Sequence, residues 1–423
     1  MKAAIYTLGC KVNQYESEYI SQQLKGDLIE IVPYSEIADI YIINSCTVTA
    51  ESDKKTRQAV RKFKRKNPDA VVVLTGCLPQ TQTDIFDLLT EADIVTGNNN
   101  NEGIIPAIRK FLASKERISD IRLHESGEPF SCGVINDFSE RTRAIVKIED
   151  GCNRFCSYCI IPYARGRVRS KPLEILKEEL STLDSKGFKE IVLVGINLSS
   201  YGLNTDFNIC DAVEMAESFE SFRRIRLGSL EPDHLTDEII ERLSKCKKLC
   251  PQFHISLQSG CNKTLKEMNR HYTAEEYYAL SRKLRECFKN ATITTDIMVG
   301  FPNESDEDFE ESLNFAYKVG FEKMHVFPYS PREGTPAAKK VQVNPQIKEK
   351  RSHIMLAAAN EIRSEFLKNQ IGKTVNVLFE NDNEGYTENY TPVKVYTDVE
   401  CGSMLKVKIT ESDNDYCYGE ITE

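Results

Sequence analysis

"EDGCNRFCSYCIIPYARGR", residues Glu149–Arg167, decides how the chain is read. Cys152, Cys156 and Cys159 stand in it as C-x3-C-x2-C. A structural zinc site takes four protein ligands. The next Cys and His after Cys159 are Cys210 and His234, far downstream. The loop thus offers three thiolates and one vacancy. A four-iron cubane suits that count, with three irons held by cysteine and the fourth open to a substrate or cofactor. A zinc site completed by a remote residue is the alternative.

The surroundings place this loop. "RAIVKIEDGC" reads as a strand running into it. Five further strand signals follow: "KEIVLVGINLSSYG", "RRIRLGSLEP", "QFHISLQSG", "ATITTDIMVGFPNE" and "EKMHVFPYS". Helical stretches such as Leu173–Lys186 and Ala274–Phe288 separate most of them. Six βα units predict a partial (βα)6 barrel with active groups on the loops after the strands. The cysteine loop follows the first strand.

Upstream, "AAIYTLGC", "ADIYIINSC" and "DAVVVLTGC" are short apolar runs, each followed by a helical stretch. Runs without polar alternation predict buried parallel strands, and the β-then-α order predicts a doubly wound sheet. Cys10, Cys46 and Cys77 each fall just past a strand end, where ligands gather in such sheets. Three unrelated buried thiols are the plainer alternative. The polar stretch Arg117–Glu140 reads as a linker. Past Lys368 the chain turns rich in Val, Thr and Tyr with frequent turn residues, which predicts a small all-β barrel.

The expected organisation is therefore α/β: a doubly wound parallel sheet at 1–125, the partial barrel at 138–366, and a small β-barrel at 367–423. The 423 residues suit two or three domains. No apolar run is long enough to span a membrane, and the N-terminus shows no leader pattern, so the expected location is the cytoplasm. Fourteen cysteines in a reducing compartment point to metal ligation or buried thiols. On that ground Cys132, Cys210, Cys246, Cys250, Cys261, Cys287, Cys401 and Cys417 are expected to be buried and free. A net charge of −9 is unlike a generic nucleic-acid binder, so RNA contact must rest on local patches. Two patches are candidates: the Lys54–Lys66 helix, and Arg165, Arg167, Arg169 and Lys171.

The cysteine motif after a first barrel strand resembles that of the radical S-adenosylmethionine (SAM) enzymes. "LGCKVNQYES", "NSCTVT", "TGCLPQ", "GCNRFCSYCIIPYARGRVRS", "LVGINLSSYG" and "GYTENY" together resemble the methylthiotransferases from end to end. "LGCKVNQYES" and "IIPYARGRVRS" are most similar to the MtaB type, which acts on N6-threonylcarbamoyladenosine beside the tRNA anticodon. The types acting on isopentenyl-adenosine or on a ribosomal-protein aspartate are the alternatives. The resemblance implies two [4Fe–4S] clusters, on Cys152, Cys156 and Cys159 and on Cys10, Cys46 and Cys77, together with SAM. It implies SAM contacts at Tyr158, Gly195, Asn197, Ser229, Glu231, Gln258 and Asp296. It also implies tRNA as substrate, an electron donor and a sulfur donor as partners, and an RNA-binding TRAM module at the C-terminus. The tyrosines Tyr386, Tyr390 and Tyr396 are expected either to stack on bases or to fill the core of that module.

Overall fold

The computed structural model describes residues 1–131, 133–136, 138 and 142–422. Cys132 falls outside them. The N-terminal sheet has six parallel strands in the order Glu30–Ile31, Lys2–Thr7, Ile40–Ser45, Val71–Gly76, Ile94–Thr96, Ile118–Asp120. Successive side chains of a strand point to opposite faces, and both faces here are covered. Ile40, Ile42, Val71 and Val73 pack beneath helices Lys11–Gly26 and Ile104–Ser114. Tyr41, Ile43, Val72 and Leu74 pack against Ala59, Val60 and Phe63 of helix Ala50–Lys66. That double burial is why these strands carry no polar alternation. The expected linker starts later than predicted, because Ile118–Asp120 pairs with Ile94–Thr96 as the sheet's edge.

The central strands are Arg143–Lys147, Glu190–Val194, Arg224–Leu227 with Ser229–Leu230, Gln252–Ile255, Thr292–Val299 and Lys323–Pro328. All pair in parallel, and they form a three-stranded and a four-stranded sheet that part at Gly228. A parallel bridge, Ile225 to Leu249, continues the wall across the gap. The six expected βα units are present. Register places Arg143, Glu190 and Arg224 in one row, and Ile145, Val192 and Arg226 in the next row on the same face.

A 24-residue helix, Pro345–Lys368, leads from this barrel to the C-terminal module. The module is a closed barrel of five strands, Thr374–Phe379, Glu384–Thr387, Pro392–Val395, Cys417–Thr422 and Met404–Ser412. Val377, Phe379, Val393, Val395, Val407 and Ile409 fill it. The tyrosines do not. Tyr386 and Tyr390 stack on each other outside the module's core, centroids 4.5 Å apart, and Tyr396 is exposed and stacks on Tyr418 at 6.0 Å.

The module docks on the foot of the central barrel. Arg224 donates to the carbonyls of Tyr386 and Asn376, both at 2.9 Å, and Arg226 to those of Thr387 and Glu388, both at 2.7 Å. Arg143 and Arg226 lie 5.3 and 4.8 Å from the Tyr390 ring centroid. The Tyr386–Tyr390 hairpin thus stoppers the end of the barrel remote from the cysteine loop.

Candidate active site

The cysteine loop is built around Gly151. Its φ is +85°, and a Cβ there would lie 2.0 Å from the Arg167 carbonyl oxygen, so only glycine fits. Cys152 N–H donates to Gly166 O at 3.1 Å and Cys159 N–H to Cys156 O at 2.9 Å. The loop closes on itself and presents the three thiols together.

The N-terminal thiols also converge, because they follow three adjacent strands. A Cβ on Gly9 would stand 3.2 Å from Cys46 Sγ, so the Cys10 turn passes against Cys46. Cys10 Sγ donates to Asn13 Oδ1 at 3.3 Å. Cys77 is fully buried, and burial pushes its thiol up to about 12; nearby Arg165 opposes this, while Cys46 and Cys10 add to it.

One guanidinium joins the two triads. Arg165 ends the short helix Ile161–Arg165 that follows Cys159. It donates to Glu16 (2.8 and 3.0 Å), to Asp150 (3.2 Å) and to Asn13 Oδ1 (3.1 Å), the atom that also accepts from Cys10. Asn98 makes a second joint, donating to Cys77 Sγ at 3.8 Å and to Ala164 O at 2.7 Å. A third ties the loop after Cys46 to the loop after the last barrel strand: Arg332 donates to Thr47 (2.7 Å) and Asp53 (2.6 Å).

Beside Cys159 lies a cavity of about 230 Å³. Tyr158, Cys159, Gln258 and Asp296 line it from the barrel side, and Val48 and Thr49 from the loop after Cys46. Thr49 is fixed there as the N-cap of helix Ala50–Lys66, accepting from Ser52 N–H. Gln258 holds a φ of +67°, and its buried Oε1 has no partner among the described residues. Burial alone would raise the Asp296 carboxyl, but the His254 hydrogen bond at 3.2 Å and its charge hold it below the usual range.

The remaining expected contacts divide. Glu231 reaches the cysteine loop through Arg270, which donates to both Glu231 and Cys156 Sγ, the latter at 3.3 Å. Gly195 and Asn197 meet Glu149 instead: Asn197 N–H donates to Glu149 Oε2 at 2.8 Å, and a Cβ on Gly195 would stand 2.4 Å from that oxygen. Ser229 is exposed and its side chain makes no hydrogen bond to any described residue. Arg270 and Glu149 escaped the sequence reading. Arg270 carries no motif, and Glu149 looks like the end of a strand, yet burial pushes its carboxyl up to about 8.

One expectation about charge is overturned and another is narrowed. Arg165, Arg169 and Lys171 are buried and paired with Glu16 and Asp150, with Glu128, and with Glu179, so they do not face RNA. Only Arg167 is exposed, and it lies 4.6 Å from the Phe155 ring centroid. In the Lys54–Lys66 helix, Lys64 pairs with Asp93 (2.9 Å), Arg61 with Glu91 (3.2 Å), and Lys66 donates to the carbonyls of Tyr34–Glu36. Lys55 and Lys62 stay exposed with no carboxylate partner among the described residues. Of the thiols expected to be buried and free, Cys210, Cys246, Cys250, Cys261 and Cys417 are, whereas Cys287 and Cys401 are exposed.

The comparisons decide the family. Residues 146–316 match the radical SAM superfamily, and residues 2–97 match an uncharacterized protein family, UPF0004. The threonylcarbamoyladenosine tRNA methylthiotransferase MtaB of Bacillus subtilis is 38% identical, over 99% of this chain and 95% of its own. Its Thermotoga maritima counterpart is 39% identical over 89% and 86%. The tRNA-2-methylthio-N(6)-dimethylallyladenosine synthase of Clostridium novyi is 36% identical over 99% and 96%. The chain belongs to the radical SAM methylthiotransferase family. Among solved structures, the radical SAM methyltransferase TsrM of Kitasatospora setae shares the fold at TM-score 0.59 and 14% identity, over 85% of this chain and 89% of that one.

Enzymes of this family transfer a methylthio group, using SAM and two [4Fe–4S] clusters. The thiols present fit such groups. Among the described residues no three Cys, His, Asp or Glu side chains close around one ion, as mononuclear zinc would require. A cubane takes one thiolate per iron instead. Burial raises Cys152 to about 12 and raises Cys159 and Cys46 as well, so the thiolate forms need a positive partner such as iron. No helix among the described residues is long and apolar enough to cross a membrane.

Proposed function

We propose that this methylthiotransferase converts N6-threonylcarbamoyladenosine, beside the anticodon of tRNA, to its 2-methylthio derivative. The relatives named for that substrate reach 39% identity. The observation that carries the reading is Arg165, whose one guanidinium spans from the loop of Cys159 to the hydrogen-bond partner of Cys10. It supports two cysteine triads held close together. Adenine C2 bears an unactivated C–H bond that no side-chain base can deprotonate at neutral pH, so the chemistry belongs to cofactors. When bound, the clusters and SAM supply the electron, the radical, the sulfur and the methyl group.

The chain's own residues hold and orient. Cys152, Cys156 and Cys159 would ligate the SAM-binding cluster, and Cys10, Cys46 and Cys77 the second. Tyr158, Gln258 and Asp296 would meet SAM in the 230 Å³ cavity. Glu231 would do so beside Arg270, and Gly195 and Asn197 beside Glu149, with Ser229 at the rim. Val48, Thr49 and Tyr329 would exclude water around the base. Residues 1–125, 138–366 and 367–423 act as cluster, SAM and RNA-positioning units, the last as a TRAM module. The enzyme works in the cytoplasm, with an electron donor and a sulfur donor as further partners.

Nucleoside mass spectrometry on tRNA from a deletion strain tests the reading. Loss of 2-methylthio-threonylcarbamoyladenosine, with the unthiolated nucleoside accumulating, is the expected result. Loss of the dimethylallyl counterpart instead would reassign the substrate.

A further inference from the structure

A second cavity, of about 300 Å³, lies lower in the barrel. Lys11, Gln14, Arg143, Glu380, Asn381 and Tyr390 supply its polar lining, with Ile145 and Val192 as its apolar wall. Its charges do not balance. Glu190 is shared by Arg226 (2.8 Å), Arg143 (3.5 Å) and Arg224 (3.7 Å). Glu380 is taken by Arg143 at 2.7 Å. Four cations therefore surround two carboxylates, and Lys11 is the cation left over. It has no hydrogen bond or ion pair with any described residue. It is exposed and lines this cavity.

The placement of Lys11 is costly in a second way. It is the first residue of helix Lys11–Gly26, which has no acid in its first turn. The helix dipole is positive there, so a cation is disfavoured and an anion welcomed. A lysine that lines this cavity beside arginines, at a helix N-terminus and with no carboxylate of its own, favours an anionic partner there. Lys11 directly follows Cys10, so that anion would sit beside the N-terminal triad.

The threonylcarbamoyl group carries one anion, the threonyl carboxylate. We propose that Lys11 binds this carboxylate and so selects which modified adenosine enters. The inference rests on the functional reading above. The Tyr390 hydroxyl and the Asn381 amide line the same cavity and offer neutral donors for the second carboxylate oxygen. The C-terminal module thereby completes a substrate pocket within the central barrel.

The test compares wild type, Lys11→Gln and Lys11→Arg as full-length, cluster-loaded enzymes. Each binds anticodon stem-loop RNA carrying threonylcarbamoyladenosine or its carboxamide counterpart, and the Kd and methylthio product are measured. Wild type should favour the acid by roughly ten- to a hundred-fold, the worth of one charge-assisted hydrogen bond. Lys11→Gln should lose that preference by weakening on the acid alone, and Lys11→Arg should restore part of it. Iron content should match wild type throughout. Equal weakening of Lys11→Gln on both RNAs, or a fall in its iron, would mean that Lys11 serves the cluster, and the proposal is overturned. Absence of any acid-over-amide preference in wild type overturns it too. Wild type that methylthiolates neither RNA but thiolates a dimethylallyladenosine RNA refutes the functional reading itself, and this proposal with it.

Discussion

Replacing Arg226 with methionine asks how firmly the C-terminal module grips the barrel. Arg226 is 2% exposed and gives up three partners in the change: Glu190 at 2.8 Å and the carbonyls of Thr387 and Glu388 at 2.7 Å. Glu190 keeps Arg143 and Arg224 within 3.7 Å, so its charge is not orphaned. The cost then falls mainly on two carbonyls that lose a charged donor, about 1.5–3 kcal/mol each, or about 3–6 kcal/mol together. Methionine is apolar and of comparable length, which limits the cavity term. Against a usual stability of about 5–15 kcal/mol that loss is severe. Urea unfolding followed by circular dichroism measures it, with Arg282→Met as control. Among the described residues Arg282 pairs only with exposed Glu286 one helical turn away, worth about 0.3–0.5 kcal/mol. If Arg226→Met stays within about 1 kcal/mol of wild type, the module is a pendant rather than a stopper. A chain ended after Asn369 should likewise unfold earlier in its barrel, because Arg143, Arg224 and Arg226 all lose partners.

Reconstituted enzyme should hold about eight irons, from two four-iron clusters. Changing Cys152, Cys156 and Cys159 to Ala should halve that and stop SAM cleavage. Changing Cys10, Cys46 and Cys77 should halve it and stop thiolation, while 5′-deoxyadenosine still forms. Glu149, raised to about 8 by burial, stays protonated in the folded chain while the unfolded chain ionises near pH 4.5. Stability should therefore fall as pH rises from about 5 through 8, by a few kcal/mol at most, and Glu149→Gln should flatten that slope in pH-dependent denaturation. Lys55→Ala with Lys62→Ala should weaken tRNA binding and cut its log–log salt slope by roughly two, read by anisotropy at several salt concentrations.

What the sequence made legible was local. Apolar runs such as Ile40–Ile43 and Val71–Leu74 announce strands buried on both faces, and a cysteine just past each run has one place to go. The six barrel strands were readable for the same reason. Long-range pairing was not. Arg165, Arg169 and Lys171 look like an RNA patch because their carboxylates come from elsewhere: Glu16 lies 149 residues from Arg165. The hairpin tyrosines looked like core or base platforms because nothing local marks Arg143 and Arg226 as their neighbours. Arg332 and Asp53, 279 residues apart, were equally silent. Charge in this chain is spent on joining distant segments, which periodicity cannot reveal.

The stoppered foot of the barrel also bears on traffic. With the Tyr386–Tyr390 hairpin lodged at one end, the lumen is served from the opposite rim, where the cysteine loop lies. An RNA loop seated over that rim covers the route by which small molecules come and go. On the function proposed above, methionine and 5′-deoxyadenosine would then leave only after the RNA lifts, and fresh SAM would enter between RNA encounters. The turnover rate would thereby be tied to how fast RNA departs, and an RNA that binds too well would become a slow substrate.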